Sequence, residues 1–258
     1  MMAYAYEITL LILCPLIFLA AFVDSIAGGG GLISLPAYIF VGLPIHTAYG
    51  TNKFSSSLGT AMALVNYIRS GSVDFSAAAA GAIGALLGSW LGTRLALSLS
   101  PRVLQISLMV ILPMVGIFIL TRRSAKNSVP KNPPGFKLKL ILSWAIGLTL
   151  GCYDGFFGPG TGMFMTLALS GLIRLELIKA VGTTKIINFT SNIVSMATWL
   201  VNGKILFPVA VPCMICAIAG GFLGSRMAIK IGKSFIRPVL ALVAALLFIK
   251  IFIDVIRI

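Results

Sequence analysis

Apolar residues along the chain fall into ten runs, and their lengths repeat in order: long, short, long, long, long, then the same again. In the first half the runs cover about 8–27, 30–42, 47–69, 74–97 and 102–121. In the second they cover about 138–157, 161–173, 177–202, 205–229 and 234–256. About 20 apolar residues in a helix cross a bilayer core about 30 Å thick. The long runs therefore predict transmembrane helices. The short ones do not reach: Met163 to Ile173 would extend only about 16 Å as a helix. Before each short run the apolar pattern breaks, at Asp24 to Gly31 and at Tyr153 to Gly162.

The two halves align residue by residue. Asp24 matches Asp154, 130 residues on. Gly50-Thr51-Asn52-Lys53 matches Gly182-Thr183-Thr184-Lys185 at an offset of 132, and Gly88 to Ala96 matches Gly220 to Ala228 at the same offset. A constant offset over such a length marks an internal repeat. The expected fold is an all-α integral membrane protein of two repeats, 1–121 and 138–258, joined by a loop at 122–137 that holds Pro130, Pro133, Pro134 and Gly135. Five segments per half is odd, so the repeats should be inverted relative to each other, as in many secondary transporters.

Charge bears on the orientation. The joining region carries Arg122, Arg123, Lys126, Lys131, Lys137 and Lys139 and no acid, which marks it as cytoplasmic. Counting crossings outward puts Arg69, Arg174, Lys179, Arg226, Lys230, Lys233 and Arg237 inside as well. Arg94, Arg102, Lys204, Lys250 and Arg257 fall outside, and both termini face outside.

The breaks carry the candidate chemistry. Gly158-Pro159-Gly160 stops a helix, because proline lacks an N–H and glycine is conformationally loose. Non-helical backbone at membrane depth survives only inside protein or beside a wet cavity. A half-helix starting there offers unpaired N–H groups and about half a positive charge, which suits an anion. Candidate donors are Gly29, Gly30 and Gly31 in the first half and Pro159, Gly160 and Thr161 in the second.

Each third helix adds a polar face: Asn52, Lys53 and Ser56 in one half, Lys185, Asn188 and Asn192 in the other. A lysine at a helix centre costs about 2.5–3.5 kcal/mol to insert, so it needs a partner or water. These residues are the candidate substrate ligands, with Asp24 and Asp154 as coupling or structural acids. Two plainer readings stand beside this one. The lysines could snorkel to the interface, or pair with Asp24 and Asp154 in purely structural ion pairs. Asparagine and serine also glue membrane helices together.

Composition narrows the class. The chain of 258 residues is 59% hydrophobic and 10% charged, with mean hydropathy +1.05. A soluble domain carries about 25% charged residues. The net charge of +14 sits in loops and forms no basic-aromatic stripe, so it does not point to nucleic acid. The four cysteines, Cys14, Cys152, Cys213 and Cys216, lie in apolar runs, which argues against a disulfide framework. Cys213 and Cys216 have redox-pair spacing but no companion pair. His46 stands alone, so no metal site is expected. The Gly88/Gly92 and Gly220/Gly224 spacings predict close helix packing. Arg94 and Arg226 should reach headgroups, and Asp74, Glu176, Glu7 and Asp254 should be solvated. No nucleophile motif, acid pair or cofactor signature suggests an enzyme.

The run Asp24 to Pro36, Gly50 to Lys53, Tyr153 to Gly162, Thr184 to Phe189 and Ser191-Asn192 resembles the TauE/SafE sulfite-exporter family over nearly the whole chain. The resemblance implies a multi-pass transporter of the bacterial inner membrane that exports sulfite or an organosulfonate such as sulfoacetate. Its implied partners are a small anion and the lipid bilayer, without a cofactor; a homo-oligomer stays open. The alternatives are a cation-coupled carrier, with Asp24 and Asp154 binding Na⁺ or H⁺, and a passive channel for another small anion.

Overall fold

A computed structural model describes residues 4–121 and 133–231. These form nine helices: α1 Tyr6–Ala27, α2 Gly31–Phe40, α3 Ile45–Arg69, α4 Phe75–Ser98, α5 Pro101–Thr121, α6 Phe136–Phe156, α7 Thr161–Gly171, α8 Leu177–Val201 and α9 Phe207–Ile231. Each of the first nine apolar runs coincides with one helix. α6 begins at Phe136, inside the stretch read as linker. The tenth run, 234–256, lies outside the described residues, as does most of the joining loop.

Both short runs are half-length helices, and both turn back on the helix before them. α1 ends at Gly28 and Gly29, whose φ values of 77° and 100° suit glycine. α2 then returns along α1, bringing the Phe40 ring within 6.2 Å of Tyr4. Gly158 and Gly160, at φ 86° and 83°, make the same turn between α6 and α7. Met165, Leu169 and Ile173 on and just after α7 pack in one cluster with Ile146 and Leu142 of α6. Ten or eleven helical residues reach only about 15 Å, so α2 and α7 begin partway through the bundle.

The first helix of each half packs on the fourth helix of the other: α1 on α9, and α6 on α4. Glycine makes these contacts backbone-close. A β-carbon on Gly84, Gly88 or Gly92 of α4 would strike the carbonyl oxygen of Trp144, Leu148 or Cys152 on α6. Gly147, Gly151 and Gly155 of α6 return the contact against Gly81, Ala85 and Ser89. Gly220 and Gly224 lie equally close to the carbonyls of Phe18 and Phe22 on α1. The small-residue spacing read from the sequence is thus a packing surface.

α1, α4, α6 and α9 are each long and apolar enough to cross a membrane. Their outward faces present large side chains such as Leu11, Ile83, Leu91, Ile141 and Ile215. α3 and α8 are as long but more polar, α3 most of all, and they pack on each other at the centre. Their polar residues face inward, among them buried Thr51, Asn52, Lys53, Ser57, Thr183, Lys185, Asn188 and Asn192. Arg94 and Arg226 stack on Trp90 and Phe222, 5.5 and 4.1 Å from the ring centres. Asp74, expected to be solvated, instead caps α4. Its carboxylate accepts from the Ala77 N–H at 2.9 Å and pairs with Lys139 at 3.0 Å.

Candidate functional site

The two breaks touch. The α-carbons of Gly28 and Gly162 belong to strands of backbone so close that a β-carbon on Gly28 would lie 2.3 Å from the Met163 nitrogen. One on Gly31 would lie 3.1 Å from the Pro159 α-carbon. The starts of α2 and α7 therefore meet. Within the breaks, the Gly30 N–H donates to Asp24 Oδ1 at 3.2 Å, and the Tyr153 hydroxyl donates to the Pro159 carbonyl at 2.8 Å. Leu32 and Ile33 turn their N–H groups to Gly29 and Gly30, and Met163 turns its own to Gly160. The N–H groups of Gly29, Gly31, Gly160 and Gly162 are left without a partner among the described residues. Two helix N-termini with free donors thus face one region.

Both lysines are buried and both are paired, across the halves. Lys53 Nζ lies 2.7 Å from Asp154 Oδ2 and donates to Asn192 Oδ1 at 2.9 Å. Lys185 Nζ lies 2.9 Å from Asp24 Oδ2 and also donates to the Asp24 carbonyl. Neither lysine snorkels; Lys185 is fully buried. The acid partner of Lys185 is Asp24, not Asp154. The two acids and two lysines cancel, leaving the helix ends as the uncompensated positive potential.

The pairs differ in how they are sealed. Ser191 donates to the same Asp154 oxygen, and that side chain is 4% exposed. The residue 132 positions before Ser191 is Gly59, which has no hydroxyl to offer. The Asp24 side chain is 21% exposed, and it borders a cavity of about 50 Å³. That is room for a few waters or one small anion.

Gly29, Gly30, Gly31, Asn52, Lys53, Ser56, Gly160, Thr161, Asn188, Asn192, Asp24 and Asp154 all line this cavity. Two candidates do not. Lys185 is turned away to Asp24, and Pro159 is held against Gly31 with its carbonyl taken by Tyr153. Other lining residues are Ser34 of α2, Gly59 and Thr60 of α3, Ala20 of α1 and Ala217 of α9. Thr60 lies one helical turn beyond Ser56, on the same polar face of α3. Ala20, Gly59 and Ala217 had no signal, because they shape the space by being small. In the second half Met165, Leu169 and Ile187 pack with Ala85. Away from the cavity, the Tyr49 hydroxyl and Trp199 Nε1 are buried without a partner among the described residues. His46 Nε2 lies 3.3 Å from the Ala96 carbonyl.

Apolar helices long enough to cross a bilayer, packed around half-helices and buried charge pairs, define an all-helical, multi-pass membrane protein. The family described as Sulfite exporter TauE/SafE matches residues 13–251. The chain belongs to that family, and it is a membrane transporter. A Haemophilus influenzae protein named "Probable membrane transporter protein" is 36% identical over 237 residues, covering 92% of each chain. The Sinorhizobium "Probable membrane transporter protein ORF9" is 33% identical over 92% of this chain and 90% of its own length. Escherichia coli K12 "Probable membrane transporter protein YfcA" is 31% identical over 92% of this chain and 87% of its own. No solved structure matches the chain.

Proposed function

We propose that the protein exports a small sulfur oxyanion, sulfite or an organosulfonate, across the bacterial inner membrane. The observation that carries this reading is the meeting of two half-helix N-termini, with free N–H groups, at one polar cavity. A sulfonate has three acceptor oxygens and one charge, and converging neutral donors suit it. The family description names sulfite export. The binding groups in this reading are the N–H groups of Gly29, Gly31, Gly160 and Gly162 with the side chains of Ser56, Asn188 and Asn192. Lys53 and Lys185 balance the acids rather than hold the anion directly.

The carrier works by alternating access of two inverted repeats. The reciprocal packing of α1 on α9 and α6 on α4 supports this, as does the matched pairing of Lys53 with Asp154 and Lys185 with Asp24. α1 and α2 form a hairpin that returns to its starting side, so with α3, α4 and α5 the first half crosses a net three times, an odd number. Loop charge agrees. Arg69, Lys139, Arg174, Lys179, Arg226 and Lys230 belong to the bundle end where Asp74 meets Lys139, and that end is cytoplasmic under this scheme.

A second reading, cation coupling, is favoured by one observation: the Asp24 carboxylate borders the cavity. Uptake of labelled sulfite and sulfoacetate into proteoliposomes, with and without proton and sodium gradients, tests both. Saturable flux without either gradient supports the simple exporter. Flux that needs a gradient supports coupling. No saturable flux of either anion ends the reading.

A further inference from the structure

We propose that the cavity selects an anion that also carries a hydrogen-bond donor, and that Asn52 is the residue that reads this donor; the inference rests on the anion reading above. Asn52 lines the cavity. The residue is 7% exposed, and its Oδ1 is buried with no partner among the described residues. A buried acceptor left unmade is costly, and native proteins leave few of them.

The other half satisfies the corresponding position. Thr184 stands 132 residues after Asn52. Its hydroxyl lies 3.2 Å from that of Thr166 on α7. The residue 130 positions before Thr166 is Pro36 of α2, which has no donor. The sequence thus removes the protein's own partner on the cavity side and supplies an amide there. The rest of the cavity is donor-rich: free N–H groups at both helix starts, with the hydroxyls of Ser34 and Thr60. Those donors suit the oxygens of the anionic head. An unmatched buried acceptor beside them suits a hydroxyl, an ammonium or a protonated oxygen on the same solute. Lys53, next along α3, does not serve it, because its ammonium is taken by Asp154 and Asn192.

The test compares two sulfonates of equal size. 2-Hydroxyethanesulfonate carries a terminal hydroxyl where 1-propanesulfonate carries a methyl. Binding of each to the purified protein in detergent is measured by calorimetry, for the wild type and for Asn52→Leu. Leaving a buried acceptor unpaired should weaken wild-type binding of propanesulfonate by roughly ten- to a hundredfold relative to the hydroxy compound. Asn52→Leu should bring the two affinities within about threefold, with propanesulfonate bound at least as well as by wild type. Equal affinities in the wild type overturn the proposal whether or not the variant folds. That result also follows if the amide is turned over and offers its NH₂ to the anion. A preference retained by Asn52→Leu assigns the reading of the donor to another group and overturns it too. Binding of neither compound by the wild type would instead remove the anion site itself, and this inference with it.

Discussion

Lys53 of α3 holds Asp154 of α6 at 2.7 Å, in the opposite half of the chain and almost completely out of water. Removing one member of such a pair leaves a bare charge in a low-dielectric interior, at a cost of about 3–5 kcal/mol. Lys53→Met should therefore destabilise the protein strongly. Lys53→Met with Asp154→Asn should cost less than Lys53→Met alone. Thermal unfolding in detergent measures both, and additive losses would show that the pair does not act as a unit.

Asp24 and Asp154 should respond unequally. Both acids line the cavity and each keeps a hydrogen-bond donor, but the Asp154 side chain is 4% exposed and that of Asp24 21%. Lys185→Met is expected to change sulfite affinity more through Asp24, left unpaired at the cavity wall, than through any contact of its own. Adding Asp24→Asn should restore affinity to within a few-fold. An affinity unchanged by Lys185→Met would separate this pair from the site.

The glycine contacts give a stability prediction. Gly88→Ala sets a methyl about where the Leu148 carbonyl oxygen lies, 2.1 Å from the new carbon. Backbone cannot yield as a side chain can, so α4 and α6 must separate, at about 1–3 kcal/mol or more. Gly171→Ala meets nothing within 4 Å and should be neutral or gain up to about 1 kcal/mol. Equal melting temperatures for the two variants would refute this account of the interface.

Orientation can be read from Ser70 and Asn202. They are the matching caps of α3 and α8, 132 residues apart and both exposed. If the repeats are inverted, single cysteines at these sites lie on opposite sides of the membrane. In a background lacking the four native cysteines, an impermeant thiol reagent should label position 202 on intact cells. Position 70 should react only after permeabilisation. Labelling of both from one side would rule out inversion.

Asp74 gives a pH prediction outside the membrane spans. Partial burial pushes its carboxyl up, but the Ala77 N–H, the Ser76 hydroxyl and Lys139 together outweigh this, and it lies below its ordinary value. A carboxyl depressed in the folded state stabilises above its unfolded value of about 4 and loses that contribution as pH falls through the folded value. Asp74→Asn keeps a capping oxygen but removes the titration. Its melting temperature should fall less steeply than wild type below about pH 4.

Much of this was legible because membrane helices write their lengths directly into the sequence. The constant offset from Lys53 to Lys185, and the glycines before α2 and α7, marked the breaks and their polar face. The cross-pairing was not legible. A lysine and an aspartate at matching positions of both halves pair equally well within a half or between halves, and only the packing of α1 on α9 and α6 on α4 decides it. The lysines read as fixed charge for an anion are consequently already neutralised. The cavity's position was hidden for a different reason. It depends on Gly59 standing where the other half has Ser191, and on the small walls of Ala20 and Ala217. Absent side chains leave no pattern.

The interlocked packing also sets an order of manufacture. Asp24 enters the membrane early, but its partner Lys185 is 161 residues behind it. A ribosome adding about 5–20 residues per second needs roughly eight to thirty seconds to supply that lysine. Phe18 waits longer still for the glycine of α9 that meets it. For that interval the nascent first half lacks the native partner of Asp24 and the helix that packs on α1. The first five helices alone therefore cannot complete these two contacts, which wait on α8 and α9.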